Sequence, residues 1–260
     1  MEFIDQLKRK ILLPDYPKRI VSIVPSQTEL LYDLGLEEEV IGITKFCIHP
    51  ERWFRNKTRI GGTKKLDIAK IRSLKPDIVF ANKEENEKSQ VRDLEVFVPV
   101  WISDIHTLHD AMNMIRQVGE ITDKNNTADE LCIDIKTGFE QLETISKPIR
   151  TLYLIWYEPY MGAGADTFIF DMMQRAGFVS VLDENRYPVL NESKIKALNP
   201  ELVLLSSEPY PFKEKHVQEL QRILPSAKVA LVDGEMFSWY GSRLKKASGY
   251  FNSLVLSLNS

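Results

Sequence analysis

The sequence predicts an α/β protein of two lobes with parallel sheets, joined by a single long backbone helix and leaving a ligand cleft between the lobes. Three observations predict it: a segment that occurs twice, the alternation of strand and helix patterns around each copy, and a long helical stretch between the copies. The segment "LDIAKIRSLKPDIVFA" from Leu66 returns as "LNESKIKALNPELVLL" from Leu190. Lys70, Ile71, Leu74, Pro76 and Val79 match Lys194, Ile195, Leu198, Pro200 and Val203 at one offset, and Asp77 meets Glu201. The boundaries that follow are an N-terminal extension over 1–17, an N-terminal lobe over 18–124, a linking backbone helix over 125–147 and a C-terminal lobe over 148–260.

Taken in order, "RIVSIVPSQTELLYDLGL" from Arg19 reads as strand, loop, helix and a stopping Gly35. The first copy of the repeat reads as a short amphipathic helix ended near Pro76, then an apolar strand. "VPVWISD", ending at Asp104, supplies the next strand. Residues 107–122 place Leu108, Ala111, Met112, Ile115 and Val118 on one helix face. Residues 127–146 read as the linking helix, about 30 Å long at about 1.5 Å per residue, with Thr127 and Glu130 as a capping box. "RTLYLIWYEPYMGAGADTFIFDMMQRAGF" from Arg150 repeats the strand, loop, helix and glycine plan with a longer loop. After the second repeat copy, "KVALVDG" supplies a last strand with Asp233 in the place of Asp104, and "SRLKKASGYFNSLVLSL" a last helix. Each half is thus β-α-β-α-β, the pattern of a parallel sheet covered by helices.

Composition excludes several functions. With 260 residues, 43% of them hydrophobic and 27% charged, the chain has the make-up of an ordinary globular protein able to bury a core. A net charge of -3 gives no electrostatic reason for a nucleic-acid partner. Cys47 and Cys132 lie far apart without metal-ligand spacing, which argues against a disulfide framework and suits the cytosol or a bacterial periplasm. At the N-terminus, Asp5, Lys8, Arg9 and Lys10 interrupt the apolar positions, so no secretory signal is read there. No stretch approaches the roughly 20 apolar residues of a membrane span. On that ground the expected location is the cytoplasm unless a leader was removed. G-x-S-x-G, H-E-x-x-H, P-loop and C-x-x-C motifs are all missing. His106 and His109 read as a helix start and surface, and His216, in "FKEKHVQEL", as solvated.

In open parallel sheets, ligands sit outside the carboxyl ends of the strands, and five loops leave such ends here. In the first, Ser26 or Thr28 caps a helix whose free N–H groups face the cleft beside Gln27; capping alone is the competing reading. The second carries Phe46, Cys47 and His49 before Pro50; a Cys-x-His pair is too small a set for a metal, and contact between His49 and ligand is the alternative. In the third, Gly61-Gly62 permits a tight turn or close backbone approach just before Thr63, without the spacing of a phosphate loop. The fourth carries Trp156, Tyr157, Tyr160 and Met161; its Gly162 and Gly164 fail the dinucleotide fingerprint at Thr167. In the fifth, "EMFSWYGSRL", Phe237 and Trp239 read as a wall of the cleft, Tyr240 as either wall or core, and Gly241 as the point where the chain turns back. Core filling competes with each ring taken singly. Aromatic loops without a catalytic group read as binding.

These stretches, with "GADTFIFDMMQRAGF" and "FSWYGSRL", together resemble the substrate-binding proteins of ABC importers in the helical-backbone class, the vitamin B12 and ferric siderophore branch, over roughly residues 18–257. The resemblance implies two Rossmann-like lobes, small hinge motion, no enzymatic activity and no intrinsic cofactor. It further implies a monomer that holds cobalamin, haem or another metal chelate as bound ligand. It carries contacts onto His49, Thr63, Asn82, Trp156, Tyr160, Phe237 and Trp239, with His49 as an axial-ligand candidate. Asn82 stands where a B12 binder has tryptophan, and Thr63 near another, so the N-lobe wall is expected to be more polar. The family docks on its permease through one glutamate per lobe; Ala69 and Ser193 stand there, with Asp67 and Glu192 nearby. Family membership implies a periplasmic or membrane-associated protein. The leading function is thus a cobalamin-binding component of an importer. A cytoplasmic corrinoid or haem carrier or sensor is the second reading, and a metal-dependent hydrolase using His49, Glu158 and Asp233 the third.

Overall fold

The computed structural model describes residues 1–143 and 147–259. The chain divides into two compact units. The first holds Met1–Ile105, His109–Asp134 and Tyr240–Arg243; the second holds His106–Leu108, Ile135–Trp239 and the chain from Leu244 onward.

The first unit opens with an antiparallel hairpin, β1 (Glu2–Ile4) and β2 (Lys10–Leu12). Its turn is fixed by buried Asp5, whose carboxylate accepts from the backbone of Leu7 and Arg9 and from the Arg9 guanidinium. There follow β3 (Ile20–Ser22), α1 (Pro25–Asp33), β4 (Val40–Ile43), α2 (Glu51–Asn56), β5 (Thr58–Arg59), a small hairpin of β6 (Gly61–Gly62) and β7 (Lys65–Leu66), α3 (Ile68–Ser73), β8 (Ile78–Asn82), α4 (Lys88–Glu95), β9 (Val100–Ser103), α5 (Leu108–Ile121) and α6 (Asn125–Glu140). The five-stranded sheet has the order β5-β4-β3-β8-β9, parallel throughout. Its two central strands, β3 and β8, are buried along their whole length, which is why they read as apolar runs rather than alternations.

α5 buries Leu108, Ala111, Met114, Ile115, Val118 and Ile121; Met112, expected on that face, is only half-buried. α6 begins two residues before the expected cap at Thr127, because Asp123 takes a positive φ of 57° and ends α5 in one step. It ends at Glu140, short of the expected 146, and Thr144, Ile145 and Ser146 lie outside the described residues. The boundary between the units falls inside α6, after Asp134.

The second unit runs β10 (Ile149–Trp156), β11 (Tyr160–Gly162), α7 (Phe168–Arg175), β12 (Phe178–Ser180), β13 (Val189–Leu190), α8 (Glu192–Leu198), β14 (Leu202–Ser206), α9 (Glu214–Ile223), β15 (Lys228–Val232), the short α10 (Glu235–Ser238) and α11 (Leu244–Asn259). β10 pairs in parallel with β12 and β14, and β14 with β15. Unlike the expected all-parallel sheet, β11 folds back antiparallel on β10, and β13 pairs antiparallel with β11. The short loop of Tyr157, Glu158 and Pro159 permits that hairpin, and Gly162 leaves room where a Cβ would come within 2.4 Å of the Leu182 side chain. The core packs Leu152, Leu154, Val203 and Leu205 from the two central strands against Ile195 of α8 and Leu220 of α9.

The repeat detected in the sequence covers α3–β8 and α8–β14, caps included. Asp67 accepts from the Lys70 N–H at 2.9 Å and Asn191, at the matching position, from the Lys194 N–H at 2.8 Å.

Candidate functional site

In the first unit, α1 starts directly on β3. Its N-cap is Val24, with no side-chain cap, so neither Ser26 nor Thr28 caps it. Thr28 instead points its hydroxyl at Ser22 Oγ, the Val24 carbonyl and Cys47 Sγ. Buried Gln27 donates from Nε2 to Ser103 Oγ at 2.6 Å, and its Oε1 is buried without a hydrogen-bond partner. Ser26 is buried beside it.

Asn82, at the end of β8, is also buried and uses both ends of its amide. Nδ2 donates to Ser103 Oγ at 3.0 Å, while Oδ1 accepts the N–H groups of Glu84 and Glu85 and closes the turn after the strand. Asn86 then ties that turn to the third loop, donating to the carbonyls of Ile23 and Thr63. Thr63 itself stays half-buried. Gly61 has φ +100°, and a Cβ there would lie 2.5 Å from the Lys65 carbonyl oxygen, so this turn requires glycine.

Phe46 is half-exposed and lies over Gly62, while His49 is half-buried. Cys47 is not a partner for His49: it is fully buried between the hydroxyls of Thr28 and Thr44, and burial pushes its thiol up to about 11. Among the described residues, no group of three or more His, Cys, Asp or Glu side chains is placed to hold a metal ion.

The segment Tyr240–Arg243 belongs to this unit. Tyr240 donates to Glu85 at 2.6 Å, and burial raises its phenol well above the ordinary value. Arg243 makes a bidentate pair with Glu29 at 2.8 Å on both arms. Gly241 is needed for close approach rather than for a turn, since a Cβ there would lie 2.9 Å from the Ser26 carbonyl oxygen.

In the second unit, the loops after β10 and β14 bring aromatic rings together. Trp156 is 39% exposed and packs edge-on to Tyr210 at 5.8 Å between ring centroids. Tyr157 lies against Tyr160 at 5.3 Å, Tyr210 at 5.7 Å and His216 at 4.8 Å. The hydroxyls of the three tyrosines are tied to α9. Tyr157 and Tyr160 donate to the two oxygens of Glu219 at 3.0 and 2.7 Å. His216 Nδ1 accepts the Lys213 N–H at 2.8 Å, which caps α9, and its Nε2 lies 3.1 Å from the Tyr210 hydroxyl. The expected solvated His216 is thus buried, and burial lowers its pKa. Nδ1 is the acceptor, so Nε2 carries the proton in the neutral ring. The Glu219 hydrogen bond, ahead of burial, pushes the Tyr157 phenol up to about 12.

The fifth loop divides its rings. Phe237 is fully buried against Tyr153 at 5.1 Å and Phe251 at 4.7 Å, so it is core and not a ligand wall. Trp239 is nearly buried, its indole N–H donating to Glu208 at 2.9 Å. Burial raises the pKa of that carboxyl, against the hydrogen bonds from Ser238 and Trp239. His106 is no simple surface residue either, since its Nδ1 lies 3.1 Å from an Asp166 carboxylate oxygen.

Tyr210, Glu208 and Glu219 escaped sequence reasoning, and His216 was read only as solvated, although a signal was present. Glu-Pro-Tyr occurs at 158–160 and again at 208–210, each separated by one residue from the end of an apolar strand. Ala69 and Ser193 are both exposed in the first turns of α3 and α8; nearby, Asp67 is spent as a cap and Glu192 pairs with Lys196 at 2.6 Å. No helix among the described residues is long and apolar enough to cross a membrane.

Residues 20–228 match the periplasmic binding protein family. The chain is 27% identical over 213 residues to the ABC transporter substrate-binding lipoprotein YvrC of Bacillus subtilis, covering 77% of this chain and 67% of that one. It is 20% identical over 251 residues to a vitamin B12-binding protein of Pectobacterium carotovorum, covering 94% of this chain and 90% of that one. The fold is shared with the periplasmic heme-binding protein HutB of Vibrio cholerae, at a TM-score of 0.78 and 20% identity over 91% of this chain and 98% of that one.

Proposed function

Because the chain belongs to the periplasmic binding protein family, a family of solute-binding proteins and not enzymes, we propose that it serves an ABC-type importer by binding cobalamin or a related corrinoid. The ligand is carried cargo and not a resident cofactor. One observation carries the reading: the wall of Trp156, Tyr157, Tyr160 and Tyr210, in which the three tyrosine hydroxyls are tied to α9 while Trp156 stays substantially exposed. Stiff rings, three of them with their hydroxyls already tied, offer apolar faces at low entropy cost, which suits a wide, partly flat chelate. The relatives named for substrate binding in ABC transport and for vitamin B12 support the same ligand class.

In the first unit, Phe46, His49 and Thr63 retain exposed or half-buried side chains at strand ends and are proposed as further contacts. Ser26, Gln27, Asn82 and Tyr240 are buried, and Gln27, Asn82 and Tyr240 hydrogen-bond within the protein, so their part is to fix the loops. The proposed partner is a permease, met through the first turns of α3 and α8, where Ala69 and Ser193 carry no charge. The proposed location follows the family, outside the cytoplasmic membrane.

The test is a titration with cyanocobalamin, followed by tryptophan fluorescence and calorimetry, with hemin in parallel. Saturable one-to-one binding of cyanocobalamin at micromolar affinity or better supports the reading. Saturation by hemin alone moves the assignment to haem.

A further inference from the structure

The ring wall of the second unit has a charge as well as a shape. Both phenols nearest its centre, Tyr157 and Tyr160, donate to one carboxylate, Glu219. Besides Glu219, the acidic Glu158 and Glu192 lie near these phenols, Glu158 next to Tyr157 in the chain and Glu192 in an ion pair with Lys196. Basic neighbours, Lys213 and Lys215, act on His216, whose ring lies 4.8 Å from that of Tyr157, and Glu219 opposes them there. His216 favours its neutral form, since burial lowers its pKa. Holding the rings in place needs only an acceptor, and a neutral amide would serve. An ionised carboxylate adds negative charge behind half-exposed π-faces that are already negative by their quadrupole.

We propose that this wall selects its ligand by charge, accepting the cationic or electron-poor face of a planar chelate and disfavouring anionic ones. The inference rests on the wall being the ligand site, as proposed above, and narrows the ligand class to chelates without a carboxylate-rich periphery.

The test compares two probes with the same ring and opposite charge: a porphyrin with N-methylpyridinium arms and one with sulfonatophenyl arms, each titrated into the intact protein. The cationic porphyrin should bind roughly threefold to thirtyfold more tightly, the span of a cation–π contribution. That preference should fall toward unity in Glu219→Gln and in the double variant Tyr157→Phe, Tyr160→Phe, which keeps the rings and cuts the tie. It should survive in Glu130→Gln, an equal charge change at an exposed position on α6 in the first unit. Equal or reversed preference, binding of neither probe, or a preference untouched by both wall variants overturns the inference. If cyanocobalamin fails to bind while the porphyrins keep their preference, the corrinoid assignment falls and selection by charge stands.

Discussion

Exposure separates the aromatic residues into two kinds, and substitution should separate them too. Phe237 has no exposed surface and touches Tyr153, Tyr250 and Phe251. Phe237→Ala is expected to cost roughly 3–5 kcal/mol of stability through the cavity it leaves, read by denaturant unfolding. Trp156→Ala should leave stability nearly intact and weaken cyanocobalamin binding by at least about 1–2 kcal/mol, the scale of a hot-spot ring. Trp239 lies on the core side of that line, so adding Trp239→Ala to Trp156→Ala should lower stability as well as affinity. Arg243 and Glu29 form a buried pair, with side-chain exposures of 8% and 9%. Removing the arginine alone, by Arg243→Met, strands a buried carboxylate and should cost about 3–5 kcal/mol, much of it recovered by adding Glu29→Leu.

At the scale of an element, α9 is the piece that organises the wall, and a histidine begins it. His216 caps the helix only while Nδ1 is unprotonated. Its pKa in the folded protein is lowered, so the folded state prefers the neutral ring. The stabilisation is therefore complete above the unfolded value, about 6.5 for histidine, and is lost as pH falls through that value toward the lower folded one. Melting temperatures measured between pH 7.5 and 5.5 should fall more steeply for the natural protein than for His216→Gln, whose amide does not titrate. Parallel slopes would remove His216 as the cause. The same element explains why the wall was only half legible. Trp156 and Tyr160 stand out as rings after a strand, but Glu219, which holds Tyr157 and Tyr160, lies in a helix dozens of residues later.

For the whole molecule, binding and stability are linked. Free cyanocobalamin at about a hundred times its Kd should raise the stability of the binding-competent fold by about 2.7 kcal/mol. In a chain of this size that corresponds to a melting shift of roughly 5–10 °C, absent when the ligand is inorganic phosphate. A shift confined to one of two separate melting steps would assign the ligand to one unit.

The sequence by itself determined the doubled α/β plan, because hydrophobic period and capping act over a few residues and survive in each copy: Asp67 and Asn191 cap matching helices. It also determined that aromatic loops leave the strand ends of the second half. Tertiary structure alone decided which rings stay exposed and which are core, that β11 turns antiparallel, and that His216 is buried beneath Tyr157 and Tyr210. The reason is the range of the contacts. Tyr153 meets Phe237, Tyr160 meets Glu219 and Trp239 meets Glu208 only after the sheet has brought distant segments together. Burial and hydrogen-bond partnership are properties of that assembly, and no local pattern records them.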